Sequence, residues 1–347
     1  MRAARFALSI LFALAFAALA PAQSAPRASL LVLSKTDHTL AIVDPVTLQP
    51  IARIPVGPDP HEVIASADGR TAYVSNYGFG AYHTLAQIDL VHHKQLPFID
   101  LGPLRGPHGL VFTHGEVWFT AEGAKAIGRY NPATGKVDWI MGTGQNRTHM
   151  LYVFPNLQRI LTTNVASASV TILDKTSGPA GMPAHLAPGA HPMPGPPGGD
   201  WNETIVPVGQ GSEGFAVSPD GRQMWVANAQ DGTISILDLT AKKVIATLDV
   251  NIRSANRIAF TPDGKLALVS LLGSGDLVIL DTATRSVLKR LPIGHGSAGI
   301  LVQPDGRCAF ISCGPDNYVA VLDLKTLAVT GHIKAGGNPD GLAWAVQ

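Results

Sequence analysis

Three histidines stand in matching local settings, in PHEV from Pro60, PHGL from Pro107 and THML from Thr148. SEGF from Ser212, ANRI from Ala255, SAGI from Ser297 and PDGL from Pro339 align with them, so one column reads His61, His108, His149, Glu213, Asn256, Ala298 and Asp340. Imidazoles and carboxylates in such a column could hold zinc, copper, nickel or iron, with His61, His108 and His149 as the ligands of a divalent metal ion. The same groups could bind an anionic ligand or serve as general acid and base. A third reading needs no ligand, because polar side chains line any water-filled channel and hydrogen-bond water and backbone. Glu62, Arg147 and Arg257 flank the column. Two residues beyond it every segment is apolar (Val63, Leu110, Leu151, Phe215, Ile258, Ile300 and Leu342). Residues two apart share a strand face, so burial between packed sheets competes with exposure to a channel. The chain has no GxGxxG, P-loop or HExxH motif, and no serine in a nucleophile turn.

The elements that carry this column recur. SADGRTAYVSN from Ser66, SPDGRQMWVAN from Ser218, TPDGKLALVSL from Thr261 and QPDGRCAFISC from Gln303 each pair an Asp-Gly turn with an apolar strand. A second strand then ends in Asp and a turn, and each unit closes on a further strand and usually a glycine. The closing residues Gly57, Gly102, Gly144, Gly209, Asn251, Gly294 and Gly336 are spaced by 45, 42, 65, 42, 43 and 42 residues. Four short strands in a period near 42 predict the blade of a β-propeller. The sequence from Leu30 to Gly57 supplies three outer strands without an innermost one, and Asn338 to Gln347 supplies an innermost strand alone. Joined, they make a composite blade 1 and bring the count to seven, closing the ring by pairing of the two ends. Successive blades are related by a rotation of roughly 51°, so His61, His108 and His149 of blades 2 to 4 should converge on one mouth of the channel, with Glu213 and Asp340 completing the rim.

The ends of the second strands give another column expected at the same mouth: Lys35, Asn76, Ala121, Asn164, Asn228, Leu271 and Cys313, with Glu122 after Ala121. The candidate ligand-binding set is therefore His61, Glu62, His108, Glu122, His149, Glu213, Asn256 and Asp340. The loop from Tyr77 to Thr84 is expected to overhang the mouth through Tyr82 and His83. The 65-residue interval contains a Pro/Gly-rich insertion, residues 177–201 in blade 4, which reads as a loop on the opposite face. It carries Met182, His185, His191 and Met193, donors that suit copper only loosely.

Composition bounds the partners. The 347 residues carry 26 Lys+Arg against 25 Asp+Glu, a formal charge of +1, which removes the case for nucleic-acid binding. Thirty-six glycines and 26 prolines suit many short strands and turns. Arg2 and Arg5 precede an apolar run from Phe6 to Ala20, and Ala20-Pro21-Ala22 offers small residues for cleavage. Residues 1–22 thus read as a signal peptide and 23–347 as the exported, periplasmic or secreted propeller, monomeric and without a membrane span. Cys308 and Cys313, five apart on one strand, face opposite sides and are expected as free thiols.

The strands AYVSN from Ala72 and MWVAN from Met224, each after its Asp-Gly turn, resemble the YVTN family of bacterial propeller repeats, YncE-like proteins among them. The resemblance covers nearly the whole mature chain and implies an exported propeller. One blade, PHGLVFTHGEVWFTAEGAKAIGRYNPATGK from Pro107, is similar to the repeat of streptogramin (virginiamycin B) lyases. That similarity implies metal-dependent elimination with His and Glu near the channel. Where those lyases place key residues in late blades, this chain has Asn256, Ala298, Leu271 and Leu272. The leading expectation is a propeller that binds a small molecule, metal or protein partner at the channel mouth. A metal-dependent lyase or hydrolase and a protein-interaction platform are the alternatives.

Overall fold

A computed structural model describes residues 28–176 and 200–347. The proposed leader and most of the insertion lie outside the described residues. Trp201, placed in the insertion by sequence, instead opens an outer strand, Trp201–Pro207, with its ring 5.8 Å from that of Trp139. Twenty-eight strands form seven four-stranded antiparallel sheets, a seven-bladed propeller with no α-helix among the described residues. None of the described helices is long and apolar enough to cross a membrane.

Burial follows position within each blade. In blade 6 the second and third strands, Leu266–Leu271 and Asp276–Asp281, are buried over four or more consecutive residues, whereas the outermost, Ser286–Pro292, is mostly exposed. The inner strands are covered on both faces because each blade packs against its neighbours, which explains their continuous apolar runs. Leu268, Leu277 and Ile279 of blade 6, for instance, share a core with Ala309, Ile311 and Cys313 of blade 7. Each fully buried Leu or Ile contributes roughly 1.5–3 kcal/mol, so seven such seams hold the ring. Cys313 is buried and Cys308 half-buried, and both are free.

The recurring Asp-Gly turns are self-sufficient. Ser218 Oγ donates to Asp220 Oδ1 at 2.5 Å, the Arg222 amide donates to the same oxygen at 3.1 Å, and Gly221 takes φ +71°. Serine, aspartate and glycine each supply one requirement of the turn, which is why the tetrad recurs. The ring closes as the repeat count demands. Pro339–Val346 is the innermost strand of blade 1 and pairs antiparallel with Ala28–Ser34, with Leu30 opposite Trp344 and Val32 opposite Leu342. Strands Thr39–Asp44 and Gln49–Pro55 complete that blade.

Candidate functional site

All seven innermost strands slip register against the second strand at one place. The slips fall between Pro60 and Val63, Pro107 and Leu110, Thr148 and Leu151, Ser212 and Phe215, Ala255 and Ile258, Ser297 and Ile300, and Pro339 and Leu342. Two residues on the inner strand thus oppose one on the second strand, a bulge that re-aims side chains. The bulged pair is the histidine column and the residue after it. A bulge strands a backbone amide, which must find another partner. The opposing residue supplies it: the amides of Glu62, Gly109 and Arg257 donate to Ser75 Oγ at 3.0 Å, Thr120 Oγ1 at 2.9 Å and Ser270 Oγ at 3.1 Å. These hydroxyls also tie one blade to the next. Thr120 donates to the His149 carbonyl at 2.6 Å, Thr163 to that of Glu213 at 3.0 Å, Ser270 to that of Ala298 at 2.5 Å and Ser312 to that of Asp340 at 2.6 Å. The backbone under the column is therefore fixed by a ring of buried serines and threonines that the sequence reading passed over. Its mark was a hydroxyl at the fifth strand position in TAYVSN, EVWFTA, RILTTN, LALVSL and CAFISC.

The three imidazoles come together. The rings of His61 and His108 lie 5.0 Å apart and those of His108 and His149 3.9 Å apart, with Tyr77 edge-on to His61 and to His108 at 4.8 and 5.1 Å. His149 is buried between two carboxylates: Nδ1 bonds Glu122 Oε1, and Nε2 lies 2.9 Å from Glu213 Oε1, off the axis of a hydrogen bond. Burial alone would favour the neutral ring, but Glu213 and Glu122 outweigh it and raise the pKa to about 9. The imidazolium in turn holds Glu213 at about 2 despite its burial. Tyr77 donates its hydroxyl to Glu122 Oε2 at 2.5 Å, and Arg147 Nε stands 3.5 Å from that oxygen. His108 is the opposite case. Burial first, and then the positive charge of His149, push its pKa well below the usual histidine range. Its Nδ1 is buried without a partner. A neutral and a cationic imidazole thus lie against each other, their planes tilted by 40°.

A second cluster joins blades 1 and 2. Lys35 Nζ donates to His61 Nε2 at 2.8 Å and lies 3.4 Å from Asp340 Oδ2 and 3.7 Å from Asp59 Oδ1. The same Nε2 lies 3.1 Å from Asp59 Oδ1, which can only accept, so this nitrogen faces a donor and an acceptor at once, and Nδ1 stands 3.7 Å from Asp340 Oδ2. Asp59 is anchored by the Gly78 amide at 2.9 Å. Its pKa falls to about 2, because the hydrogen bond and charge of His61, and Lys35 after them, outweigh burial. Across the channel, Arg257 of blade 6 pairs with Glu62 of blade 2, 195 positions away in the chain.

These groups surround a cavity of about 600 Å³, with Lys35, His61, Tyr77, Phe79, His108, Arg147, His149, Glu213, Asn256, Arg257 and Asp340 among its lining. Four of the lining groups are cations (Lys35, Arg147, His149 and Arg257) and two are carboxylates (Glu213 and Asp340). Asp59, Glu62 and Glu122 stand behind their partners, outside the lining. The wall is therefore cation-rich although the whole cluster is nearly balanced.

Several expectations are corrected. Asn76, Asn164 and Asn228 do not face the mouth. The Asn76 amide donates to the carbonyls of Val56 and Pro58, that of Asn164 to Ser169 and Thr171, and that of Asn228 to Thr233 and Ser235. They lock loops instead. Tyr77 and Phe79 line the cavity, while Tyr82 and His83 do not, His83 being exposed and paired with Asp100 at 2.9 Å. Ala298 lines the cavity without any polar group to offer. The histidines also do not fit a metal: among the described residues no three His, Cys, Asp or Glu side chains are arranged to hold one. His149 has a carboxylate at each nitrogen and is held as an imidazolium, which has no lone pair to coordinate with.

No protein-family model matches the chain, and no curated protein matches it. Solved structures do. It is 14% identical to a functionally unknown protein from Desulfotomaculum acetoxidans, over 90% of this chain and 98% of that one, with a TM-score of 0.69. It is 14% identical to the hydrazine synthase of Kuenenia stuttgartiensis, over 89% and 99%, at 0.65. It is 16% identical to a protein described as a 6-phosphogluconolactonase from Bacteroides fragilis, over 94% and 100%, at 0.71. Such different descriptions on one architecture carry the fold and not the chemistry: this chain is similar to all three as a seven-bladed propeller.

Proposed function

We propose that the channel mouth binds a small organic anion. The observation that carries this reading is the one-sided placement of charge, with Lys35, Arg147, His149 and Arg257 at the cavity wall and three of the carboxylates that neutralise them behind it. Arg147 is the most available of the four, its side chain 45% exposed and held to Glu122 only at 3.5 Å. A guanidinium in that state offers a planar pair of donors to a carboxylate or phosphate. The volume lies within the 300–1,000 Å³ or so usual for small-molecule sites. The name of the Bacteroides fragilis protein points to a phosphorylated, hence anionic, sugar lactone, which accords with this reading without extending to this chain. The YVTN-like strands and the leader pattern of residues 1–22 support an exported protein, and we place the anion in that compartment. The misfit of the histidines to a metal weighs against a metal-assisted lyase.

Calorimetric titration of the mature protein with citrate, acetate, inorganic phosphate and tetramethylammonium tests the reading. At least one anion should bind, Arg147→Gln should weaken it by about tenfold, as loss of one charge-assisted contact would, and the cation should not bind. Binding of tetramethylammonium with no binding of any anion would overturn it.

A further inference from the structure

The charged groups occupy only part of the ring. Running from blade 1 to blade 5, the cavity is lined by Lys35, His61, His108, Arg147, His149 and Glu213, and Arg257 reaches in from blade 6 to meet Glu62. From blade 6 through blade 7 the lining changes to Leu272, Gly296, Ala298, Gly314 and Pro315, before Asn338, Pro339 and Asp340 of blade 1 bring polar groups back. Asn256 marks the border, 8% exposed and with Oδ1 unpartnered. Two of the largest apolar side chains at the mouth are left to solvent, Phe79 at 89% and Leu272 at 45% exposure. Phe79 is held there by its backbone. It takes φ +51° between Gly78 and Gly80, also at positive φ, in a loop that Asp59 anchors through the Gly78 amide. A bulky residue in the left-handed region is uncommon and points to a function for its position.

We infer that the ligand is an amphiphilic anion: a carboxylate or phosphate monoester at the cationic side, attached to an apolar body of several carbons that covers Leu272, Ala298 and Pro315 and contacts Phe79. This deepens the anion-binding reading and rests on it. A purely polar anion would leave the apolar arc and Phe79 facing water, and a purely apolar ligand would take Lys35 and Arg147 out of water without offering their free N–H groups an acceptor. The two halves share one cavity of about 600 Å³, so a single small molecule can span them. Apolar contact gains about 0.8 kcal/mol per buried methylene, or roughly fourfold in affinity.

Calorimetry with the series acetate, butanoate, hexanoate and octanoate, alongside hexyl phosphate, tests the inference on the mature protein. Affinity should rise by roughly two- to fourfold per added methylene until the arc is covered, and binding should show a negative heat-capacity change. Leu272→Asn and Phe79→Ser, both at exposed positions and so expected to fold, should flatten that dependence. Arg147→Gln should weaken the whole series by a common factor. A preference between hexanoate and hexyl phosphate identifies the head group, and either preference supports the inference. Binding of acetate or inorganic phosphate with no gain along the series overturns the amphiphile and leaves the anion site standing. Failure of every anion to bind overturns both.

Discussion

Replacing Glu213 by Gln removes one of the two carboxylates that make His149 a cation while keeping the size of the side chain. The starting state is specific: a ring buried to 2% exposure, Glu122 at one nitrogen and Glu213 2.9 Å from the other, and a pKa raised to about 9. Against an unfolded value near 6.5, that elevation corresponds to roughly 3 kcal/mol of stability, at about 1.4 kcal/mol per tenfold. The sign follows from the direction of the shift. A base whose pKa is raised on folding contributes its stability in full below the unfolded value, and the contribution is lost as pH climbs through the folded one. The wild-type protein should therefore lose stability between about pH 6.5 and 9 through this ring. Loss of a carboxylate in contact with a cation lowers the cation's pKa by about 1–3 units. In Glu213→Gln the alkaline loss should accordingly end at a lower pH and amount to less. Nitrogen-15 chemical shifts of histidine side chains followed from pH 5 to 10 give the titration directly, and chemical unfolding at pH 6.5 and 9 gives the energy. A His149 ring that titrates near 6.5 in the wild type, or whose midpoint is unmoved by Glu213→Gln, would refute the electrostatic account of the site.

Thr120→Val strips the Gly109 amide and the His149 carbonyl of their buried partner. It should cost about 2–4 kcal/mol in denaturant unfolding, whereas Thr120→Ser should lose less than about 1 kcal/mol; equal losses in the two variants would remove the bridging role. His108→Phe replaces a ring whose Nδ1 is buried without a partner, and should raise Tm by about 1–2 °C per kcal/mol of relieved desolvation. A fall in Tm would show that the imidazole serves the fold. Deleting residues 338–347 removes the innermost strand of blade 1 and bares the edge of Ala28–Ser34, so light scattering should report aggregation, and a monomer with unchanged melting would contradict closure by the two chain ends.

The blade count and the composite blade were legible because they depend on local rules: period, turn chemistry and the need of every strand for a neighbour. The convergence of the three imidazoles was legible for the same reason, since equivalent positions in a ring of repeats point alike. What failed is the reading of individual polar groups. A strand-end asparagine such as Asn76 has the same sequence signature whether it lines a mouth or binds carbonyls of the preceding loop, and only the path of that loop, through Val56 and Pro58, decides. The bulge also hid itself, because strict alternation assigns His61 and Glu62 to opposite faces, while two residues against Ser75 free both. The hydroxyl that marks five of the seven bulges was visible, yet a buried serine or threonine carries no weight until the stranded amide beside it is known.

Charge sorting was the least legible feature, and it is the one on which ligand choice turns. Counted by residue type the mouth is nearly neutral, with the carboxylates of Asp59, Glu62, Glu122, Glu213 and Asp340 against the cations Lys35, Arg147, His149 and Arg257. Folding makes it directional, because Glu62 meets an arginine 195 positions away and Glu122 is sealed under Tyr77, His149 and Arg147. Each carboxylate that turns inward stabilises a cation whose other side faces the cavity. A ligand anion then meets positive groups already held in place, so that less of its binding energy is lost to ordering side chains. The acids that cancel the charge on paper are what hold those cations ready.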